Sequence, residues 1–122
     1  MTAAIRIAIV EDNIDNIGTF EYAISQVATR VELIGVAKDE TEAYTVLSDK
    51  RSELVFLDIQ LRTTTIFSVL ERIYAEGLPL PELVFLTAHG SFENAVKAIQ
   101  FACLDFVTKP FNPDDIEQSL QR

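Results

Sequence analysis

Short apolar runs alternate along this chain with longer stretches of helical period, five of each. The runs go from Ile5 to Glu11, Val31 to Ala37, Leu54 to Leu57, Leu83 to Thr87 and Asp105 to Thr108. Runs so short, with few polar interruptions, predict strands buried on both faces, as in a parallel sheet. The second run carries Glu32, which an exposed edge strand would tolerate. Between the runs, the first helix is predicted from Asp15 to about Ala28, with Ile17, Phe20, Ile24 and Val27 on one stripe and Asn13 or Asp15 as N-cap. The second spans Asp39 to Asp49, capped by Asp39 or Thr41 and buried through Ala43, Val46 and Leu47. Ile66, Val69, Leu70 and Ile73 mark the third, which Gly77, Pro79 and Pro81 end. Ser91 is predicted to cap the fourth, with Phe92, Ala95, Val96 and Ile99 facing inward. Pro113 opens the last helix, toward Arg122, at a position where its missing N–H costs nothing. Strands and helices in strict alternation, joined by right-handed crossovers, predict an α/β fold: a doubly wound five-stranded parallel sheet flanked by five helices in a three-layer sandwich.

That architecture brings distant residues together. Asp12, Asp58, Thr87 and Lys109 each stand where an apolar run ends. Ligands bind such sheets in the crevice outside the carboxyl ends of the strands. Two acids, a hydroxyl and an ammonium should therefore share one rim. Crowded carboxylates repel, and a hard divalent cation with oxygen ligands relieves the repulsion. The lysine and the hydroxyl then remain for an anionic group beside that cation. The pattern points to Mg2+ and a phosphoryl group.

Composition narrows the reading. At 122 residues the chain fits one domain, residues 1–122, and 48% hydrophobic residues give ample core material. The net charge is −9, with ten basic residues scattered along the chain, which argues against direct nucleic-acid binding by this domain. No stretch approaches the roughly 20 apolar residues of a membrane span. The first residues, Met1 to Arg6, lack the long apolar stretch of a signal peptide. The single cysteine, Cys103, has no internal disulfide partner and reads as a small buried hydrophobe. A cytoplasmic location is expected.

Four fragments then carry a resemblance: Val10-Glu11-Asp12, Phe56-Leu57-Asp58-Ile59, Leu86-Thr87-Ala88 and the run Asp105-Phe106-Val107-Thr108-Lys109-Pro110-Phe111. In that order and context, they resemble the receiver (CheY-like) domain of two-component response regulators, from Ile5 to about Ile116. The stretches Leu54 to Leu61 and Val84 to His89 look most like receivers that carry a LytTR-type DNA-binding output domain. The resemblance implies the strand order 2-1-3-4-5 of flavodoxin-like folds, with the site where the order reverses. It implies that Asp58 is the phosphoacceptor, taking the phosphoryl group from a sensor histidine kinase or a phosphotransfer protein. Glu11, Asp12, Asp58 and the backbone carbonyl of Gln60 would hold Mg2+. Lys109 would pair with Asp58 at rest and with a phosphoryl oxygen afterwards, and Thr87 would donate to another. Phe106 would turn inward as Thr87 moves, remodelling the face of the fourth helix, fifth strand and fifth helix, which is also the expected homodimer surface. A cis Lys109–Pro110 peptide is implied as well. The domain would be the N-terminal part of a longer regulator whose output domain binds DNA, and would turn over no outside substrate. His89 and Gln60 are expected to control solvent access to the phosphoryl group.

One stretch departs from the family pattern. Arg62 stands where receivers commonly have proline, and Thr63 and Ile66 where they have glycines. Beta-branched residues resist the positive φ that glycine adopts, so this loop is expected to take another path or to be mobile. Rival chemistries fit less well. A haloacid-dehalogenase phosphatase would want Asp-x-Asp after the first strand, where Glu11-Asp12-Asn13-Ile14 stands. A Toprim nuclease would want Asp-x-Asp after a later strand, and the third offers Asp58 alone. An FMN carrier would want a hydroxyl- or glycine-rich first loop, and this one is acidic. A docking-only pseudo-receiver would not need the full acidic set.

Overall fold

The computed structural model describes residues 3–62, 64–88 and 92–122, without the side chain of Phe92. The elements run β1 (Ile5–Val10), α1 (Ile14–Ser25), β2 (Val31–Ala37), α2 (Glu40–Ser48), β3 (Leu54–Asp58), α3 (Ile66–Ala75), β4 (Glu82–Thr87), α4 (Phe92–Gln100), β5 (Asp105–Thr108) and α5 (Pro113–Leu120). The five strands form one sheet in the order β2-β1-β3-β4-β5, and all four pairings are parallel.

Alternation along each strand divides the apolar residues between two cores. Ile7, Ile9, Leu54, Phe56, Val84 and Leu86 face Phe20 and Ala23 of α1 and Ile116 and Leu120 of α5. Ala8, Val10, Val55, Leu57, Leu83 and Phe85 face the other side, with Ala43 and Leu47 of α2, Leu70 and Ile73 of α3, and Ala98 of α4. Both faces of the central strands are thus dry, which is why those runs show no polar alternation. Cys103 is half-buried against the second of these cores. Among the described residues no helix is long and apolar enough to cross a membrane.

Local chemistry sets the helix ends. Asn13 caps α1, its side chain accepting from the Asp15 and Asn16 amides at 2.9 and 3.1 Å. Asp39 caps α2, and Asn112 with Asp115 closes a capping box on α5. α1 ends at Ser25 rather than near Ala28, and Thr29 instead bonds the Glu117 carboxylate of α5. α3 ends on Gly77 at φ 71°, with paired bonds from Gly77 N–H to the Tyr74 carbonyl and from Leu78 N–H to the Ile73 carbonyl. α4 ends in the same motif, but Ala102 takes the left-handed position at φ 54°.

One expectation needs correction. Val96 and Ile99 do not face inward: they are 37% and 71% exposed, and Ala98 is the buried residue of α4. Ala98 joins the core cluster that holds Phe67 and Phe85 and against which Phe106 packs. The side chain of Phe92 lies outside the described residues, as does the expected cap, Ser91. The loop after Asp58 takes another path, one of the two outcomes expected of it. Its described residues close on themselves: Gln60 and Thr65 bridge antiparallel, and the Leu61 and Ile66 amides bond the Thr64 and Ile59 carbonyls at 2.8 Å. Leu61 and Ile66 are buried at either end. Ile66, which stands where receivers commonly have glycine, is buried and anchors the turn.

Candidate functional site

The carboxyl ends of β1, β3, β4 and β5 meet at the reversal of strand order, and the expected residues meet with them. β1 ends at Val10, and the chain turns toward the Asn13 cap, so Glu11 and Asp12 project from the turn. Glu11 is 1% exposed. Asp58 closes β3, and Thr87, buried, closes β4. Lys109 follows β5, where its backbone N–H donates to the Thr87 carbonyl at 2.7 Å. The Lys109–Pro110 peptide is cis.

Three carboxylates and one ammonium dominate the electrostatics. Glu11, Asp12 and Asp58 each offer an oxygen, and these oxygens lie within 4.8 Å of one another. Lys109 Nζ donates to Glu11 Oε1 at 2.6 Å and to Asp58 Oδ2 at 3.4 Å. The expected Lys109–Asp58 pair is therefore present, but Glu11 is the nearer partner. Sequence reading placed Glu11 only as a metal ligand, because two residues 98 positions apart give no local sign of contact. The other Glu11 oxygen accepts the Asn13 N–H at 3.3 Å, and Asp58 Oδ1 accepts the Gln60 N–H at 3.4 Å. Backbone and lysine donors thus orient the Glu11 and Asp58 carboxylates. The net charge of the cluster still favours a cation.

A cleft of about 560 Å3 adjoins this cluster, lined by Asp58, Thr87 and Lys109 together with Asn16, Thr19 and Phe111. The last three were not expected. Asn16 and Thr19 stand one turn apart on α1, and only the cap at Asn13 hinted that this turn faces the site. Gln60 also lines the cleft, while its side chain bonds the Leu61 carbonyl at 3.2 Å. His89 lies outside the described residues.

Phe106, on β5, is half-buried and packs against the core beneath α4, its ring centroid 6.4 Å from that of Phe85. Phe85 meets Phe67 at 5.5 Å, and Phe67 stacks on Phe101 at 6.1 Å. Lys97 of α4 holds its ammonium 5.7 Å above the Phe67 ring. The expected switch residue therefore stands at one end of an aromatic row that supports α4.

A doubly wound sheet with acids after β1 and β3, a hydroxyl after β4 and a lysine after β5 defines a class of phosphoacceptor signalling domains. Residues 7–121 match the response regulator receiver domain family, and the chain belongs to it. Among relatives, it is 30% identical over 118 residues to the sensory transduction protein LytT of Bacillus subtilis, covering 97% of this chain and 47% of that protein. The chain spans about half the length of that relative. Among solved structures, the signal receiver domain of the putative response regulator NarL from Mycobacterium tuberculosis superposes with a TM-score of 0.83 at 18% identity, covering 98% of this chain and 95% of that one. The chemotaxis protein CheY4 of Vibrio cholerae does so with a TM-score of 0.79 at 21% identity, covering 98% of each chain. These two likenesses bear on the fold. The chain is a receiver domain of the two-component response regulators, with a phosphoacceptor signalling role.

Proposed function

We propose that Asp58 is the phosphoacceptor, taking a phosphoryl group from a phosphohistidine on a sensor kinase or phosphotransfer protein. The observation that carries this reading is the convergence of Glu11, Asp12, Asp58 and Lys109, with Asp58 and Lys109 lining the cleft. An Asp58 oxygen attacks phosphorus as the bond to the partner's imidazole breaks. A carboxylate nucleophile needs no general base, so the protein's work is placement and counter-charge. Lys109, already 3.4 Å from Asp58 and tethered through its own backbone to Thr87, is placed to follow a phosphoryl oxygen. The Thr87 hydroxyl donates to another.

The acidic cluster fits Mg2+, a hard cation that prefers oxygen ligands. Glu11, Asp12, Asp58 and the Gln60 carbonyl would hold it, and when bound it supplies positive charge beside the phosphoryl oxygens. Glu11, now 2.6 Å from Lys109, would be one of its holders, and Lys109 would remain for the phosphoryl group. The domain acts on itself and turns over no outside substrate.

Phe106 follows Thr87 when the hydroxyl moves, and the α4–β5–α5 face changes with it. Ile99 and Val96 give that face exposed apolar surface, which supports its use by a second copy of the chain or by an output domain. Likeness to LytT supports a longer regulator of LytTR type, in which a separate domain binds DNA. A cytoplasmic location agrees with that role.

Intact mass after incubation with acetyl phosphate and Mg2+ tests the assignment. One phosphoryl adduct is expected on the wild type and none on Asp58→Asn or in EDTA. An adduct that persists in Asp58→Asn would refute Asp58 as the acceptor.

A further inference from the structure

α5 buries only Ile116, Ser119 and Leu120, and two carboxylates secure it. One is its own: Glu117 accepts from the Thr29 hydroxyl at 2.6 Å and from the Thr29 N–H at 3.2 Å, in the loop before β2. The other belongs to β5. Asp105 Oδ2 accepts the Ser119 hydroxyl at 2.7 Å and pairs with Arg122 Nε at 3.2 Å. Its Oδ1 accepts the backbone N–H of Phe106 at 2.9 Å. Ser119 is fully buried, and its hydroxyl has a second, longer contact to the Asp115 carbonyl at 3.3 Å. One planar group thus grips both the residue beside it on β5 and the last turn of α5. A groove of about 240 Å3, lined in part by Phe106, Asp115 and Arg122, runs alongside.

We infer that Asp105 is a positioning residue: it couples the backbone at Phe106 to the last turn of α5 and holds both in the unphosphorylated arrangement. The inference rests on the proposal that Asp58 is phosphorylated and that Phe106 moves with Thr87. The charge of the carboxylate strengthens the bridge. Asparagine can still meet the Phe106 amide with its oxygen and Ser119 Oγ with its NH2, but those bonds become neutral and the attraction for Arg122 is lost. A movement of β5 that turns Asp105 stretches the Ser119 and Arg122 contacts together, which carries the shift from the site to the end of α5. The Glu117 hydrogen bonds go to Thr29 and Gln121, so Glu117 secures α5 by a route separate from Phe106.

The test follows amide hydrogen exchange across α5 and the rate of labelling by acetyl phosphate with Mg2+, in the wild type, Asp105→Asn, Ser119→Ala and Glu117→Gln. In Asp105→Asn and Ser119→Ala the last turn of α5 should exchange about fivefold faster, the order expected when a charge-assisted hydrogen bond is lost or made neutral. The labelling rate should rise by a similar factor, because the resting arrangement is no longer held. Glu117→Gln should loosen α5 and leave the labelling rate at the wild-type value. If Asp105→Asn loosens α5 but labels at the wild-type rate, the residue is merely structural and the inference fails. Unchanged exchange in Asp105→Asn and Ser119→Ala would overturn it without any labelling. A wild type that takes no phosphoryl group would instead refute the phosphoacceptor assignment, and the coupling with it, whatever the exchange shows.

Discussion

Replacing Lys109 with methionine tests whether that ammonium neutralises the acidic cluster. Methionine keeps most of the aliphatic stem and removes the charge. Lys109 Nζ lies 2.6 Å from Glu11 and 3.4 Å from Asp58, and the side chains of Lys109, Glu11 and Asp58 are 15%, 2% and 13% exposed. Breaking a buried ion pair by removing one partner costs about 3–5 kcal/mol, since the remaining charge is stranded. Here the open cleft readmits water, so the lower end applies: about 3 kcal/mol in metal-free buffer, or a midpoint lowered by about 10 °C. Mg2+ should reverse much of this loss. At about 4 Å and an effective dielectric near 20, unit charges interact by about 4 kcal/mol, so removing the ammonium removes a strong repulsion on an incoming dication. Even after water and salt reduce it, Mg2+ should bind Lys109→Met at least about tenfold more tightly, roughly 1.4 kcal/mol. Urea unfolding in EDTA and in saturating Mg2+, for variant and wild type, reads both effects. A Lys109→Met protein as stable as the wild type in EDTA, or stabilised by Mg2+ no more than the wild type, would refute the reasoning. Either result would mean that the lysine is not the resident counter-charge.

Other outcomes follow from the backbone and from Glu117. Ala102 and Gly77 occupy the same left-handed position after α4 and α3, at φ 54° and 71°. That conformation costs an L-residue roughly 1–2 kcal/mol, partly offset by the greater freedom of glycine in the unfolded chain. Ala102→Gly should therefore stabilise by up to about 1 kcal/mol, and Gly77→Ala, where a Cβ meets nothing within 4 Å, should destabilise by about as much for conformational reasons alone. Opposite shifts in urea midpoint are expected, and a destabilised Ala102→Gly would contradict the account. The Thr29 hydroxyl beside Glu117 is the main influence holding that carboxyl below its ordinary value, with the Thr29 and Ala28 amides and the Gln121 side chain adding to it against a smaller opposing effect of burial. A lowered folded-state pKa stabilises above the unfolded value near 4.5, and the benefit is lost as pH falls through that value and then through the lowered folded one. The stability gap between wild type and Glu117→Gln should be largest at neutral pH and close in acid. A gap that is constant with pH would exclude Glu117 as a contributor.

Much of this molecule is determined by local pattern. A strand buried on both faces must be apolar at successive positions, so Ile7 to Val10, Leu54 to Leu57 and Leu83 to Leu86 declare themselves. Once strands and helices alternate, handedness and crossover length leave few topologies, and the strand ends Asp12, Asp58, Thr87 and Lys109 must share one rim. Contacts between side chains far apart in sequence were decided only on folding. Nothing near Glu11 announces Lys109 as its closest partner, and nothing near Asp105 announces Ser119. Hydrophobic period also could not orient α4, because an apolar stripe reports a preference for leaving water and not which neighbour receives it. Ala98 meets the aromatic row while Ile99 stays outside, because a helix at the sheet edge packs where its small residues allow the closest approach. The loop after Asp58 was legible only as an exception: its composition excluded the usual turn, and the burial of Leu61 and Ile66 selected the closed one that forms.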